Sequence, residues 1–529
     1  MYEPSGQCEC IGKPGLILKL PASRPELEGY IDQRHPHGIN HLIIEKLGHK
    51  EILVAACDDG DVVAYYIKDV QREIEARDCG DLDLKLEPAD HSLRPFFLQN
   101  VGLSAWGLAV HTNARQIAVS SNTTTIHIYA FGLVDWEVSG EGPELISSTE
   151  WPIVSQLSRD QHPAQNWHIE LKRHDNNIPT VTFDNSGRDP EGRYLVSAEI
   201  GQDVIVWDIW EGSSECVFQT TLSMRLNEEY EVTRVSQRDW GWSVLCIDPA
   251  SYWPCQGCFE TFGFPEIFLS PPYRLWDNTF GAATVRDNQL WDSVPELQVE
   301  YQNEDDESGM GHASNLLDME RSASCEIENL EGKRVDTIDN LNGMYSICDN
   351  YLAARKGVIN PEQKYKHQFD LLICTSKDIA LMYQISPGIY DRVAFGDPFT
   401  RTGADPSSHL HRFQRLNMTH QIRELGIVIV GDQAGRVAVI SLNKMKEAPR
   451  VKGLRIDRIL PTLSQEKDGL RQTTPLMGMA VGPVNPGQDP SCVCGRTWRL
   501  MLFYFNHSLL VYHLRRDLNH GSFERHTGR

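Results

Sequence analysis

The sequence predicts an all-β fold of the β-propeller class, organised around a hairpin at residues 192–209. Two apolar runs rich in β-branched residues, at 194–198 and 204–207, flank a polar link, and the second run ends in a Trp–Asp pair. This pattern is typical of a β-hairpin, and a Trp–Asp pair at its end is typical of a propeller blade. Because one blade cannot bury both of its faces, the unit should recur along the chain.

Similar strand–turn–strand units do recur and predict seven blades. Their approximate limits are 41–68, 104–131, 176–209, 242–277, 345–384, 420–443 and 474–514. The fourth unit is the least regular, because Pro271 and Pro272 separate its two candidate strands and proline cannot donate to a strand ladder. The inner strand of the fifth unit is expected at 345–347 or 351–354. We therefore interpret residues 1–529 as one WD40-like seven-bladed β-propeller, with eight blades or a small inserted domain as alternatives.

The turns of these hairpins carry a partly repeated signature. In the first unit, Asp59 lies in the turn six residues before the strand aromatic Tyr65. The third unit lacks the equivalent aspartate, because Gly201 stands six residues before Trp207. The third unit is therefore a weak copy of the repeat.

Segments outside the hairpins predict how the ring closes and where it is interrupted. The apolar run GLILKL at 15–20 is expected to complete the last blade, which would remove an exposed sheet edge. Residues 71–95 and 136–176 are expected to be irregular connections. Residues 278–340 are rich in Asp and Glu and are expected to form a mobile acidic insertion.

Composition disfavours several classes of protein. A formal net charge of −23 disfavours direct binding to nucleic acid, which requires a basic face. No apolar run is long enough to cross a membrane, and the N-terminal residues do not resemble a secretory signal. The 13 cysteines are expected to be mostly reduced thiols. The pairs Cys8/Cys10, Cys255/Cys258 and Cys492/Cys494 are interpreted as loop and core thiols rather than metal ligands, so neither a metal site nor a cofactor is expected.

Catalysis finds little support in the sequence. No nucleophile-elbow, P-loop, zinc-protease or dinucleotide-binding motif occurs in a credible context. His35, His37 and His41 lie close together in the sequence, and a polar loop explains them. We therefore expect a non-enzymatic interaction scaffold with protein partners and no small-molecule substrate.

Two motifs and the acidic insertion resemble a known family. The segments WDIWEG at 207–212 and RDWGWSVLCID at 238–248, with the insertion before the fifth blade, are similar to the fungal constitutive ribonucleotide-reductase transcription regulators. These are degenerate WD-repeat proteins, and the resemblance covers about residues 40–514. It implies a regulator of ribonucleotide-reductase genes linked to the DNA-damage response and to a cullin-based ubiquitin ligase. It also implies a nuclear or nucleocytoplasmic location.

The resemblance suggests candidate partner-binding residues. Receptors for related ligases carry a W-D-x-R signature whose arginine contacts the ligase adaptor. Trp207 and Asp208 match its first half, but Trp210 replaces the arginine, while Arg515 keeps an arginine without the Trp–Asp pair. In the acidic insertion, a docking segment for a basic partner is an alternative to a solvated loop, with Glu304, Asp305, Asp306 and Glu307 as candidates. A trafficking or cytoskeletal adaptor of the same fold remains the competing interpretation.

Overall fold

The structure is a computed structural model of the 529-residue chain. It describes residues 2–4, 16–27, 29–78, 93–132, 151, 153, 166–201, 203–219, 224–226, 232–234, 240–263, 267–270, 275–277, 334–335, 368–386, 389–399, 410, 413–462, 465–466, 474–484 and 497–516. Most of these residues lie in antiparallel strands, as the alternating apolar and β-branched pattern predicts. The β-propeller prediction is confirmed.

The first three blades are four-stranded sheets whose strands follow one another in the chain. The first strand of the chain, β1 (Tyr2–Pro4), belongs to the last blade. Blade 1 consists of β2 (Ile39–Leu47), β3 (Lys50–Cys57), β4 (Asp61–Tyr66) and β5 (Phe97–Asn100). Blade 2 consists of β6 (Ala105–His111), β7 (Gln116–Ser121), β8 (Thr125–Ala130) and β9 (Trp167–Lys172). Blade 3 consists of β10 (Thr180–Phe183), β11 (Tyr194–Ala198), β12 (Asp203–Asp208) and β13 (Ser213–Gln219).

Between blades 3 and 5 the order of the strands becomes more complex. Strands β14 (Met224–Leu226) and β15 (Val232–Arg234) form a separate hairpin. The next strands in the chain are β16 (Ser243–Cys246), β17 (Trp253–Cys255), β18 (Ile267–Ser270), β19 (Leu275–Asp277) and β20 (Arg334–Val335). Blade 4 joins β16 to β21 (Asp370–Cys374), β22 (Ile379–Ser386) and β23 (Ile389–Phe395), and then continues outward through β19, β18 and β20.

Two further blades complete the described ring. Blade 5 consists of β24 (Met418–Ile422), β25 (Ile427–Gly431), β26 (Val437–Met445) and β27 (Lys452–Leu460). Strand β17 pairs in parallel with the end of β26. Blade 6 consists of β28 (Leu476–Pro483), β29 (Trp498–Tyr504), β30 (Leu509–Leu514) and β1.

The helices are short and peripheral to the sheets. They are α1 (Ile67–Asp78), α2 (Cys258–Phe262) and two 3-10 turns, Pro249–Ser251 and Arg423–Leu425. Helix α1 and strand β9 both lie in tracts that the sequence predicts to be irregular, so those two expectations are wrong in part.

The predicted fourth and fifth blades are one blade, so the number of blades in the described residues is six rather than seven. Ser243 pairs with Cys374 and Cys246 with Leu371, which makes β16 the inner strand for the hairpin of β21 and β22. The two strands flanking Pro271 and Pro272 do form an antiparallel hairpin, but β19 attaches it to the outer edge of the same sheet through β23. The alternative inner strands at 345–347 and 351–354 lie outside the described residues. So does the acidic segment 278–340, except for β20.

An N-terminal strand completes the last blade, as expected, but it is not the expected strand. Tyr2 pairs with Leu514 and Pro4 with Tyr512. Residues 16–20 of the GLILKL run belong to no strand. The reason for the error is that composition favours the apolar run GLILKL over Tyr-Glu-Pro at 2–4, whereas the register with β30 decides which segment forms the edge strand.

Candidate interaction surface

Trp207 is locked into the interior of blade 3 by a chain of hydrogen bonds. Its indole Nε1 donates to Ser197 Oγ at 2.7 Å, and Ser197 Oγ lies 2.7 Å from His174 Nε2. The other ring nitrogen, Nδ1 of His174, lies 3.1 Å from Glu199 Oε2. All four residues are buried, and Trp207 is only 2% exposed. The Trp207 ring therefore offers almost no surface to a partner.

Glu199 supplies the carboxylate that the sequence pattern lacks. The backbone N–H groups of Asp175 and Asn176 donate to its Oε2, and the Asn176 amide donates to its Oε1. Although burial opposes ionisation, the hydrogen bonds from His174 and Asn176 lower the pKa of Glu199 to about 2. Sequence reasoning missed this residue because it looked for an aspartate at position 201, two residues farther along.

Asp208 is held by an arginine that directly precedes the neighbouring strand, β11. Arg193 Nε donates to Asp208 Oδ2 at 2.8 Å, and a second nitrogen of the guanidinium contacts the same oxygen. The other oxygen accepts from the backbone N–H groups of Trp210 and Glu211 at 3.1 and 3.2 Å. Asp208 is fully buried, so its carboxylate also offers no surface to a partner. Trp210 packs partly against the core, with the Arg193 guanidinium 5.7 Å from its ring centroid.

Two of the remaining predicted contact residues, Arg515 and Trp210, are not brought together by the fold. Arg515 is exposed directly after β30 in blade 6, whereas Trp210 follows the third strand of blade 3. Glu304, Asp305, Asp306 and Glu307 lie outside the described residues. The candidate signature is therefore split between two blades and does not form one patch.

Five of the junctions between blades are filled by apolar side chains. One cluster lies between each pair of consecutive blades from blade 1 to blade 6. The cluster between blades 3 and 4, for example, includes Val206 and Ile373, and the cluster between blades 5 and 6 includes Ile429 and Leu502. No cluster of the described residues joins blade 6 to blade 1. We call the space between these two blades the 6–1 junction.

Strands on both sides of the 6–1 junction, β2 in blade 1 and β29 in blade 6, carry exposed apolar side chains. In β2, Ile43 packs toward blade 2, so the alternate residues Leu42 and Ile44 point the other way, and they are 51% and 62% exposed. In β29, Leu502 packs toward blade 5, so Phe503 faces the junction and is 37% exposed. Farther from the axis the same faces are covered, since Tyr65 and Val511 are buried. The junction is therefore open along its inner half.

A cluster in blade 1 resembles a cysteine-type catalytic site but lacks its chemistry. His37 Nδ1 lies 2.6 Å from Asp59 Oδ2, and His37 Nε2 lies 3.9 Å from Cys57 Sγ. Cys57 is fully buried, and burial, with three neighbouring aspartates, raises the pKa of its thiol to about 12. A protonated, inaccessible thiol is no nucleophile. This cluster repeats the arrangement of His174, Ser197 and Glu199 and holds the turn that precedes Tyr65.

The cysteine pairs contribute nothing to a metal site within the described residues. Cys255 and Cys258 are both buried, and neither lies in a group of three metal-binding side chains in that part of the chain. Cys8/Cys10 and Cys492/Cys494 lie outside the described residues. No helix in the described ranges is long and apolar enough to cross a bilayer.

Comparison with known proteins agrees with this architecture. Residues 29–239, which include blades 1 to 3 and the Trp207 network, match a family model. The matching model is that of the CRT10 family. An uncharacterised WD repeat-containing protein of Schizosaccharomyces pombe is 28% identical over 482 residues, which is 87% of this chain and 74% of the relative. A WD40 repeat-containing protein of Dictyostelium discoideum is 26% identical over 171 residues, which is 32% of this chain and 18% of the relative.

The CRT10 match confirms the family resemblance inferred from residues 207–212 and 238–248. The matched range contains the first of these motifs and the start of the second. With the six-bladed fold and the WD-repeat relatives, it supports a non-enzymatic WD-repeat scaffold. A scaffold binds its partners through exposed side chains. In the described residues, the 6–1 junction presents exposed apolar side chains.

Proposed function

We propose that this chain is a protein-interaction scaffold that regulates transcription of ribonucleotide-reductase genes in the nucleus, in association with a cullin-based ubiquitin ligase. The CRT10 resemblance supports the regulatory role. The observation that carries the scaffold role is the open inner half of the 6–1 junction, where Leu42, Ile44 and Phe503 are exposed. Large apolar side chains gathered on facing surfaces mark a binding site rather than ordinary scattered exposure.

The occupant that fits this opening is an extended, apolar segment of a protein partner. At the other five junctions, the equivalent sheet faces are covered by the apolar face of a neighbouring sheet. Strands β2 and β28 are also end strands of their sheets, so each presents one backbone edge that is not paired within its sheet. A strand added at such an edge gains main-chain hydrogen bonds and places alternate side chains against the apolar wall.

The test is affinity purification of the tagged full chain from its own cells, with and without replication stress, followed by mass spectrometry. We expect a cullin, its adaptor and transcription regulators to be recovered with the natural chain and lost with the double variant Ile44→Asp/Phe503→Asp. The matched control is Leu103→Asp, which places the same charge on an exposed leucine outside the junction.

Two outcomes contradict parts of this proposal separately. Vesicle-coat or cytoskeletal partners in place of the ligase and transcription regulators contradict the regulatory role and favour the competing adaptor interpretation. The same partners recovered equally with the natural chain and the double variant contradict the 6–1 junction as the binding surface.

A further inference from the structure

Two buried histidines and a glutamate converge on one face of the outer strands of blade 2. His127 lies on β8, and His168 and Glu170 lie on β9. His127 pairs directly across the strands with Glu170, and His168 is two residues from Glu170, so all three point to the same face. His127 Nδ1 lies 3.0 Å from His168 Nε2 and 4.0 Å from Glu170 Oε1.

From this geometry we propose that His127, His168 and Glu170 form a binding site for a divalent cation of the zinc type. Zinc commonly takes two imidazole nitrogens, one carboxylate oxygen and a water molecule in a tetrahedral arrangement. Ligand atoms about 2.0–2.1 Å from a tetrahedral zinc ion are about 3.3 Å from one another. The two measured separations lie on either side of that value, and all three ligand atoms lie within 4.8 Å of one another.

The surroundings favour a metal ligand set over a surface histidine pair. Both histidines are only 8% exposed, and the ring of Tyr129 stacks on His168 with centroids 4.5 Å apart. The Glu170 side chain is 27% exposed and gives the cation, and a water molecule as fourth ligand, a route from solvent.

One neighbouring charge opposes the cation. Lys172 Nζ lies 2.5 Å from Glu170 Oε2, the oxygen that does not face His127. The Lys172 side chain is 65% exposed, so it can turn into solvent when a cation binds at Oε1. Lys172 therefore sets how tightly the site binds and does not block it.

The test is equilibrium dialysis of the full chain against Zn²⁺, with the bound metal measured by mass spectrometry. The variants His127→Asn and His168→Gln each keep an amide near the lost ligand nitrogen, which preserves a hydrogen bond and favours folding. We expect each to weaken zinc binding by at least about tenfold. Lys172→Met should tighten it by about two- to fivefold, because it removes a nearby positive charge. The control His35→Asn alters a histidine that is 79% exposed in the loop before blade 1, and it should leave binding unchanged.

A spectrum of the natural chain keeps the proposal testable even if a variant does not fold. Cobalt bound at this site has nitrogen and oxygen ligands, so its visible bands should appear without a thiolate-to-cobalt charge-transfer band. A strong charge-transfer band would assign the metal to cysteines and overturn the proposal. So would the absence of zinc binding in the natural chain, or equal binding by the natural chain and both folded histidine variants.

Discussion

The indole Nε1 of Trp207 and the hydroxyl of Ser197 are joined by a 2.7 Å hydrogen bond across β12 and β11. The same hydroxyl lies 2.7 Å from His174 Nε2, so one small side chain connects a strand to the loop before the blade. The conspicuous tryptophan of this sequence is thus a structural residue. Its hydrogen bond stabilises blade 3, and this contribution can be measured as a free energy of unfolding.

Ser197→Ala should lower the free energy of unfolding by about 1–3 kcal/mol, because it leaves two buried polar groups without their shared partner. Trp207→Phe removes the indole N–H as well as part of the ring, so combining the two changes should cost less than the sum of the single costs. Urea unfolding of both single variants and the double variant measures this coupling. Strict additivity would show that the hydrogen bond contributes nothing.

Glu199 should make the free energy of unfolding depend on pH in the acidic range. Its pKa in the folded protein is about 2, below the ordinary value of 4.5, so its stabilising effect is present above pH 4.5 and is lost as the pH falls toward 2. The loss is up to about 3 kcal/mol. Glu199→Gln should be less stable at neutral pH and should lose less stability between pH 5 and pH 3. Parallel pH profiles for the natural chain and the variant would contradict this role.

Arg193→Met should be strongly destabilising, because it leaves the fully buried carboxylate of Asp208 without its cation. Breaking such a pair from one side costs about 3 kcal/mol or more. The matched control is Arg72→Met, which breaks an exposed pair with Asp69 and should cost no more than about 1 kcal/mol. Thermal unfolding of the two variants compares them, and similar losses would contradict the importance of burial.

Gly60→Ala and Gly187→Ala separate backbone strain from crowding. Both glycines have nearly the same positive φ, +87° and +89°, so alanine at either should cost about 1–2 kcal/mol. A Cβ at Gly60 would lie 1.7 Å from the Gly102 carbonyl oxygen, whereas a Cβ at Gly187 meets nothing within 4 Å. Gly60→Ala should therefore cost about 1–3 kcal/mol more. Chemical denaturation provides the measurement, and equal costs would argue against the close approach of these two loops.

Arg515→Glu tests the exposed half of the candidate adaptor signature. Arg515 is exposed directly after β30 in blade 6, so the charge reversal should leave the protein folded while weakening binding to the ligase adaptor in a pull-down. An unchanged pull-down would contradict a role for Arg515 in adaptor binding.

The local pattern of the chain predicts five of the six blades because each keeps its main hairpin in one short stretch. Strands β3 and β4, for example, are separated only by Asp58, Asp59 and Gly60. Blade 4 is not predicted as one unit, because its inner strand, Ser243–Cys246, is far in sequence from its partner strand, which begins at Asp370. Periodicity marks each strand but contains no information on which distant strand it joins.

The same limit applies to the candidate sites. His127 and Glu170 become neighbours only through the register of β8 and β9, and the sequence between them has no readable period. The 6–1 junction depends on which faces remain uncovered after all blades are packed, and alternation along β2 does not reveal this. The sequence motif at Trp207, Asp208 and Trp210 marks the end of a hairpin. It does not indicate whether these side chains are exposed to a partner.

The parallel pairing of Trp253–Cys255 with the end of β26 constrains how the protein can be made on the ribosome. Blades 1 to 3 can be completed as the chain emerges, since each uses consecutive strands. Blade 4 must wait for residues up to Phe395, and during that wait Trp253–Cys255 has already left the exit tunnel without its partner strand. That partner, β26, ends only at Met445, so the second half of the ring should form in one late event during synthesis, after a long interval in which apolar strands are exposed to chaperones.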